Sequence, residues 1–149
     1  MKIRKGFVSN SSSSSFIVIG DGPLKELKID GTVIIGQHGE TEFGWENTVY
    51  DGVWSRINFA YLQAVDRSEW LEMLEDILKE HLGCTEIVYL INTSYDEKPD
   101  SEHGPYVRGY IDHQSAACEG SNTEMFESKE KLKQFLFCAD SYIQGGNDN

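Results

Sequence analysis

The chain has 149 residues, a formal net charge of -12 and a pI near 4.6, with 39% hydrophobic and 11% aromatic residues. A chain of this length buries roughly 70% of its extended surface and can build a core without staples, so one folded domain is expected and a disordered chain is excluded. The acidic balance argues against non-specific binding to nucleic acid or to anionic membranes, and no apolar run reaches the ~20 residues that a spanning helix needs.

In chain order, the first informative stretch is a hydroxyl-rich run that feeds into Phe16-Ile17-Val18-Ile19 and is closed by Gly20-Asp21-Gly22-Pro23. A short, uninterrupted β-branched run bounded by turn residues predicts a strand buried on both faces, in the middle of a sheet. The serines ahead of it, Ser11, Ser12, Ser13, Ser14 and Ser15, read in either of two ways. They form a flexible polar arm, or, with Phe7 and Val8 anchoring the far side, a small-side-chain loop that holds an anion or accepts a modification. In the second reading the loop is ordered against the domain, close to His113 or Ser115.

Residues 24–29 are short, charged and read as a connector or half-exposed strand. After Asp30-Gly31, residues 32–36 read as a second buried strand. The turn Gln37-His38-Gly39-Glu40 leads into an alternating strand, residues 41–46, with Phe43 and Trp45 on one side. A hairpin between these two strands is the economical connection. Residues 53–65 show Trp54, Ile57, Tyr61 and Ala64 at helical spacing. Asp66 then starts a second helix, with Glu69 at capping-box distance. Trp70, Leu71, Leu74, Ile77, Leu78 and Leu82 make its apolar face, and Gly83 its left-handed cap. Its Glu69, Glu72, Glu75, Asp76 and Glu80 read as a solvated face.

Residues 85–91 read as a third buried strand. Residues 92–105 form a long, weakly patterned loop of the kind that is mobile or functional. Residues 106–115 read as a further strand, antiparallel, with Tyr106, Arg108, Tyr110 and Asp112 on one face and Val107, Gly109, Ile111 and His113 on the other. Ser128 caps a third helix over residues 129–138, with Leu132, Phe135 and Leu136 inward. Residues 144–149 read as a polar tail.

Asp112-His113-Gln114-Ser115 is the densest cluster of reactive side chains. On an extended chain Asp112 and His113 point to opposite faces, so a catalytic His113 needs its acid from elsewhere, such as Asp100, Glu102 or Asp148. Ser115 or a serine of the run is the nucleophile in that reading, and a structural histidine is the alternative. Walker, dinucleotide, EF-hand and His-Glu-x-x-His motifs are absent from the sequence. Trp45, Tyr95, Tyr106 and Tyr110 could line a groove or belong to the core. Cys84, Cys118 and Cys138 are odd in number and widely spaced, which predicts free thiols. His81 and Cys84 have a spacing that zinc could use, but no second pair completes a tetrahedral set, so neither metal nor cofactor is expected.

Three stretches carry a resemblance: Arg4 with Gly6-Phe7-Val8-Ser9-Asn10-Ser11 through Phe16; Gly109-Tyr110-Ile111-Asp112-His113-Gln114-Ser115; and Phe135-Leu136-Phe137 through Ser141-Tyr142-Ile143 to Gly146-Asn147-Asp148-Asn149. Together they resemble a set of small uncharacterised proteins of tailed bacteriophages and bacteria. The resemblance covers both ends and the last third of the chain. It implies a phage setting and carries over no catalytic residues. Lys2, Arg4 and Lys5 precede serines instead of an apolar signal core, so a cytoplasmic location is expected, the host's if the chain is phage-encoded.

The expected fold is a single α+β domain over residues 1–149. A mixed or mostly antiparallel sheet carries about three helices on one face. The leading expectation for function is a binding module that engages a protein partner through an acidic surface, without membrane or non-specific nucleic-acid binding. The alternative is a small hydrolase or transferase, with Asp112, His113 and Ser115 around a polar ligand held by the serine loop.

Overall fold

The computed structural model describes residues 2–4, 16–44, 48–94, 98–111 and 123–145. Its elements in order are Lys2–Arg4 (β1), Phe16–Gly20 (β2), Thr32–Ile35 (β3), Glu42–Phe43 (β4), Val49–Tyr50 (β5), Val53–Ala64 (α1), Ser68–Leu82 (α2), Glu86–Tyr89 (β6), Ile91–Asn92 (β7), Val107–Arg108 (β8), Tyr110–Ile111 (β9), Lys129–Phe137 (α3) and Tyr142–Gln144 (β10). A 3-10 turn, Glu124–Glu127, precedes α3. These make one α+β domain.

The apolar run after the serines is the central strand that its composition predicts. β2 lies between β1 and β10, both antiparallel to it, and β10 pairs onward with β5. Ile17, Val18 and Ile19 are buried, so both faces are covered. The neighbour β10 was not legible as a strand: Gln144, read as the start of a polar tail, pairs with Phe16 on one side and Val49 on the other. Buried Ser141 ties β2 to α3, because its Oγ accepts from Gly20 N–H (2.8 Å) and donates to the Gln134 carbonyl (2.7 Å).

The second group of strands is parallel, so the domain mixes parallel and antiparallel pairing, as expected. β3 pairs with β6, β7 with β8, and β4 with β9, all parallel. No hairpin joins β3 to β4. Gly36, at φ 107°, sits so close to residue 91 that an added Cβ would lie 2.8 Å from Ile91 Cγ1. The chain leaves the ladder there and docks on α1. Ser55 Oγ accepts from Glu40 N–H (2.9 Å), and Asn58 Nδ2 donates to the carbonyls of His38 and Glu40 (2.8 and 2.9 Å). The helices α1 and α2 then serve as the crossover that a parallel pair requires. Residues 106–111 alternate as read, with Arg108 and Tyr110 exposed and Gly109 buried, but their partners are parallel on both sides.

The strands β3 and β6 are buried on one face only. Val33 and Ile35 enter the core, and Ile87 and Tyr89 pack against it. Ile34 and Val88, opposite each other on the other face, are half-buried and do not join it. Their expected full burial is therefore corrected. Helix α1 goes the other way: residues 55–61 are all buried, instead of one stripe. It lies against β3, β9, α2 and α3 and so has little face left for water.

Helix α2 keeps its predicted apolar side, with Leu74, Ile77, Leu78 and Leu82 buried and Gly83 left-handed at φ 80°. Its capping box does not form. A turn through Val65 and Asp66 follows α1, with Arg67 N–H donating to the Ala64 carbonyl (2.9 Å), so Arg67 becomes the N-cap and has no side-chain cap bond. In α3, Ser128 Oγ accepts from Lys131 N–H (3.1 Å) as its position predicts.

Cys84 and Cys138 are buried free thiols, and burial pushes the Cys84 thiol up. In a Cys118→Ser variant, both are therefore expected to react slowly with a thiol reagent in the native state and completely in denaturant without reductant. Rapid native reaction would mean that this part of the core opens readily.

Candidate interaction surface

The residues singled out for chemistry, Asp112, His113 and Ser115, and the serines Ser11, Ser12, Ser13, Ser14 and Ser15, lie outside the described residues, as do Trp45, Tyr95 and Cys118. The strand that leads to the first cluster is described up to Ile111, opposite Phe43. Of the groove aromatics, Tyr106 is half-buried beneath the Lys98 ammonium (5.3 Å), and Tyr110 stands 41% exposed beside the Arg108 guanidinium (5.4 Å). His81 is held by protein contacts: its Nε2 faces the Lys25 carbonyl (2.8 Å) and its ring stacks on Phe137 (4.0 Å). Among the described residues, no cluster of three or more His, Cys, Asp or Glu side chains could hold a metal ion.

The charged surface is organised by α2. Its 3.6-residue period buries one stripe and turns Glu69, Glu72, Asp76 and Glu80 to water. The stripe divides into two halves. Toward α3, Lys129 Nζ lies 3.6 Å from Asp76, and Lys133 Nζ donates to Glu80 at 2.5 Å. The Lys133 hydrogen bond holds the Glu80 carboxyl below its ordinary range. The remaining α3 lysine, Lys131, is engaged by Glu127 and Glu124 (2.6 and 3.3 Å). At the other end of α2, Asp66, Glu69 and Glu72 are exposed and enter no ion pair among the described residues.

Two polar features of the interior escaped the sequence reading. Arg56, 2% exposed, donates through Nη1 to the carbonyls of Phe135 and Cys138 (2.9 and 2.6 Å), through Nη2 to Asp51 (3.3 Å) and through Nε to Gly52 (3.4 Å). It caps the carbonyl end of α3 from inside the domain. Burial lowers its pKa to about 10, with Cys138 and Asp51 pulling it back up, so it is cationic at neutral pH. The second is Tyr89, half-buried on β6, whose hydroxyl donates to the Glu75 carboxylate while its ring stacks on Tyr61 (4.8 Å). Burial first, and Glu75 second, push the Tyr89 phenol well above its ordinary value, so it is a permanent donor that fixes α2 over β6. The signal for Arg56 was present: α1 carries a single charged residue, whereas α2 is studded with them.

No helix among the described residues is long and apolar enough to cross a membrane. Comparisons with protein-family models, with curated proteins and with solved structures found no match to this chain.

Proposed function

We propose that the chain is a binding module, a phage-type accessory protein that engages a host or phage protein through an acidic surface. The observation that carries this reading is the distribution of charge. The fully buried cation, Arg56, is consumed by backbone carbonyls, and the α3 lysines are paired with acids. With this cation inside the domain, the acidic excess behind the formal net charge of -12 lies among the remaining residues. Asp66 in the turn before α2, with Glu69 and Glu72 on α2, forms a sector that enters no ion pair among the described residues. Such a sector steers a basic partner into place and rejects nucleic acid and its own copies. The ends of the chain, which resemble proteins of tailed bacteriophages, supply the phage setting.

The test compares the tagged wild-type protein with a variant carrying Asp66→Asn, Glu69→Gln and Glu72→Gln, both used to capture proteins from host lysate. These side chains are exposed, so the variant keeps its fold. A defined basic protein is expected with the wild type at low salt, with recovery falling about tenfold in the variant and with added salt. Equal recovery by both proteins, or recovery indifferent to salt, would overturn the reading.

A further inference from the structure

We propose that the outer edge of residues 86–92 accepts an added β-strand from the partner, an extended segment whose side chains alternate basic and apolar. The charge of this occupant rests on the acidic-surface reading above. The mode of binding rests on strand geometry alone.

That geometry follows from Leu90. Its N–H donates to the Ile35 carbonyl (2.9 Å), and its C=O accepts from Val107 N–H (2.9 Å). One residue's N–H and C=O point to the same edge of a strand, so β3 and β8 occupy that edge in succession. Glu86 and Asn92 bond on it too, with Gly31 (3.3 Å) and Gly109 (3.1 Å). By alternation, Ile87, Tyr89 and Ile91 turn their backbone groups to the opposite edge. No described strand pairs with them there. Edge strands are usually guarded by lysine, proline, bulges or shortness. Residues 87–91 read Ile-Val-Tyr-Leu-Ile and carry none of these guards. Ile91 is 5% exposed, so the edge closes there, whereas Ile87 and Tyr89 are half-buried and, among the described residues, have no strand partner on this edge, which an incoming strand can reach.

The flanks specify the occupant. On the helix side, Glu75 accepts from Tyr89, and Glu72 lies one turn earlier on the same flank of α2. Lys79 lies one turn later, toward the Glu86 end, so the acidic part of the flank stands beside Tyr89 and Ile91. Side chains of an added strand on this side meet carboxylates and are basic. On the other face they continue the row of Ile34 and Val88, half-buried and outside the main core, and are apolar. A second copy of this chain would bring two such acidic flanks together at a net charge of -12 each.

The probe is the peptide acetyl-Lys-Val-Lys-Val-Lys-Val-amide at low salt, with a twin carrying Glu for each Lys. The readout is amide hydrogen exchange of the full chain, resolved by residue. Ile87 and Tyr89 are expected to exchange rapidly alone and to slow by about tenfold or more with the lysine peptide. The glutamate twin should leave them unchanged, and Glu72→Gln should weaken the protection. Shifts at Glu72 without protection of these amides would overturn strand addition and leave the acidic-surface reading standing. Equal protection by both peptides would overturn the basic occupant and count against the acidic-surface reading as well. Protection in the peptide-free protein, with a dimer in sedimentation, would assign the edge to a second copy and overturn the proposal. No protection by either peptide would overturn it too, whatever the lysate capture shows.

Discussion

Replacing Arg56 with alanine is expected to lower the unfolding free energy by about 3–5 kcal/mol, read from urea midpoints. The side chain is 2% exposed and is held by four carbonyls on two parts of the chain: Asp51 and Gly52 before α1, and Phe135 and Cys138 at the end of α3. Alanine removes every donor at once. The Phe135 and Cys138 carbonyls, 2.9 and 2.6 Å from Nη1, lose their charged partner inside the domain. Each buried acceptor left unmet costs about 1–3 kcal/mol, and the volume of the side chain becomes a cavity. Arg56→Lys should recover part of the loss, because an ammonium can serve the α3 end but cannot reach the Asp51 side as a planar fork does. The pH dependence has a definite sign. Burial puts the folded pKa at about 10, below the ordinary value, so the unfolded chain binds more protons in alkali. The contribution of this group to stability therefore rises with pH above about 10 and is flat near neutrality. A full loss in Arg56→Ala that is matched by Arg56→Lys would show that the fork geometry matters. Midpoints unmoved by either change would remove Arg56 from the structural core.

How much of this was legible depends on whether the signal was local. The strand at residues 16–20 was readable because its composition and its closing turn lie within a few residues of each other. The α2 stripe and its Gly83 cap were readable for the same reason, and so was Ser128 at the head of α3. Pairing was not local. Leu90 passes from Ile35 to Val107 across 55 and 17 residues of sequence, and nothing in either segment announces that choice. The expected β3–β4 hairpin failed because Gly36 and the anchors Ser55 and Asn58 drew the loop onto α1. The Asp66 box failed because a turn through Val65 and Asp66 follows α1, closed by Arg67 N–H on the Ala64 carbonyl, and the second helix starts only at Ser68. The candidate chemistry at Asp112, His113 and Ser115 and in the serine run falls on residues outside those described, so for function the legible part is charge. Sequence supplied the total, and the fold shows which acids enter ion pairs among the described residues.

Phe59→Ala is expected to be the most damaging purely apolar truncation, at about 3–5 kcal/mol. Phe59 is completely buried, and its ring meets Phe43 edge-on at 5.1 Å and Phe135 at 6.2 Å. Phe43 in turn contacts Tyr50 at 5.0 Å. One ring thus joins α1 to β4 in the parallel group and to α3, which packs on the antiparallel sheet. Aromatic pairs of this geometry add about 0.5–1.5 kcal/mol beyond the area that they bury. Val18→Ala, on the doubly covered central strand, should cost about 1–3 kcal/mol, because the site is packed on both faces and cannot collapse freely. Ile34→Ala and Val88→Ala should each stay below about 1 kcal/mol, because both side chains lie half-buried outside the main core. The order Phe59, Val18, then Ile34 and Val88 is the checkable result, with unfolding slopes unchanged across the series. A Val88 loss as large as that at Val18 would mean that the outer face of β3 and β6 is already covered. An added strand would then have no apolar row to extend.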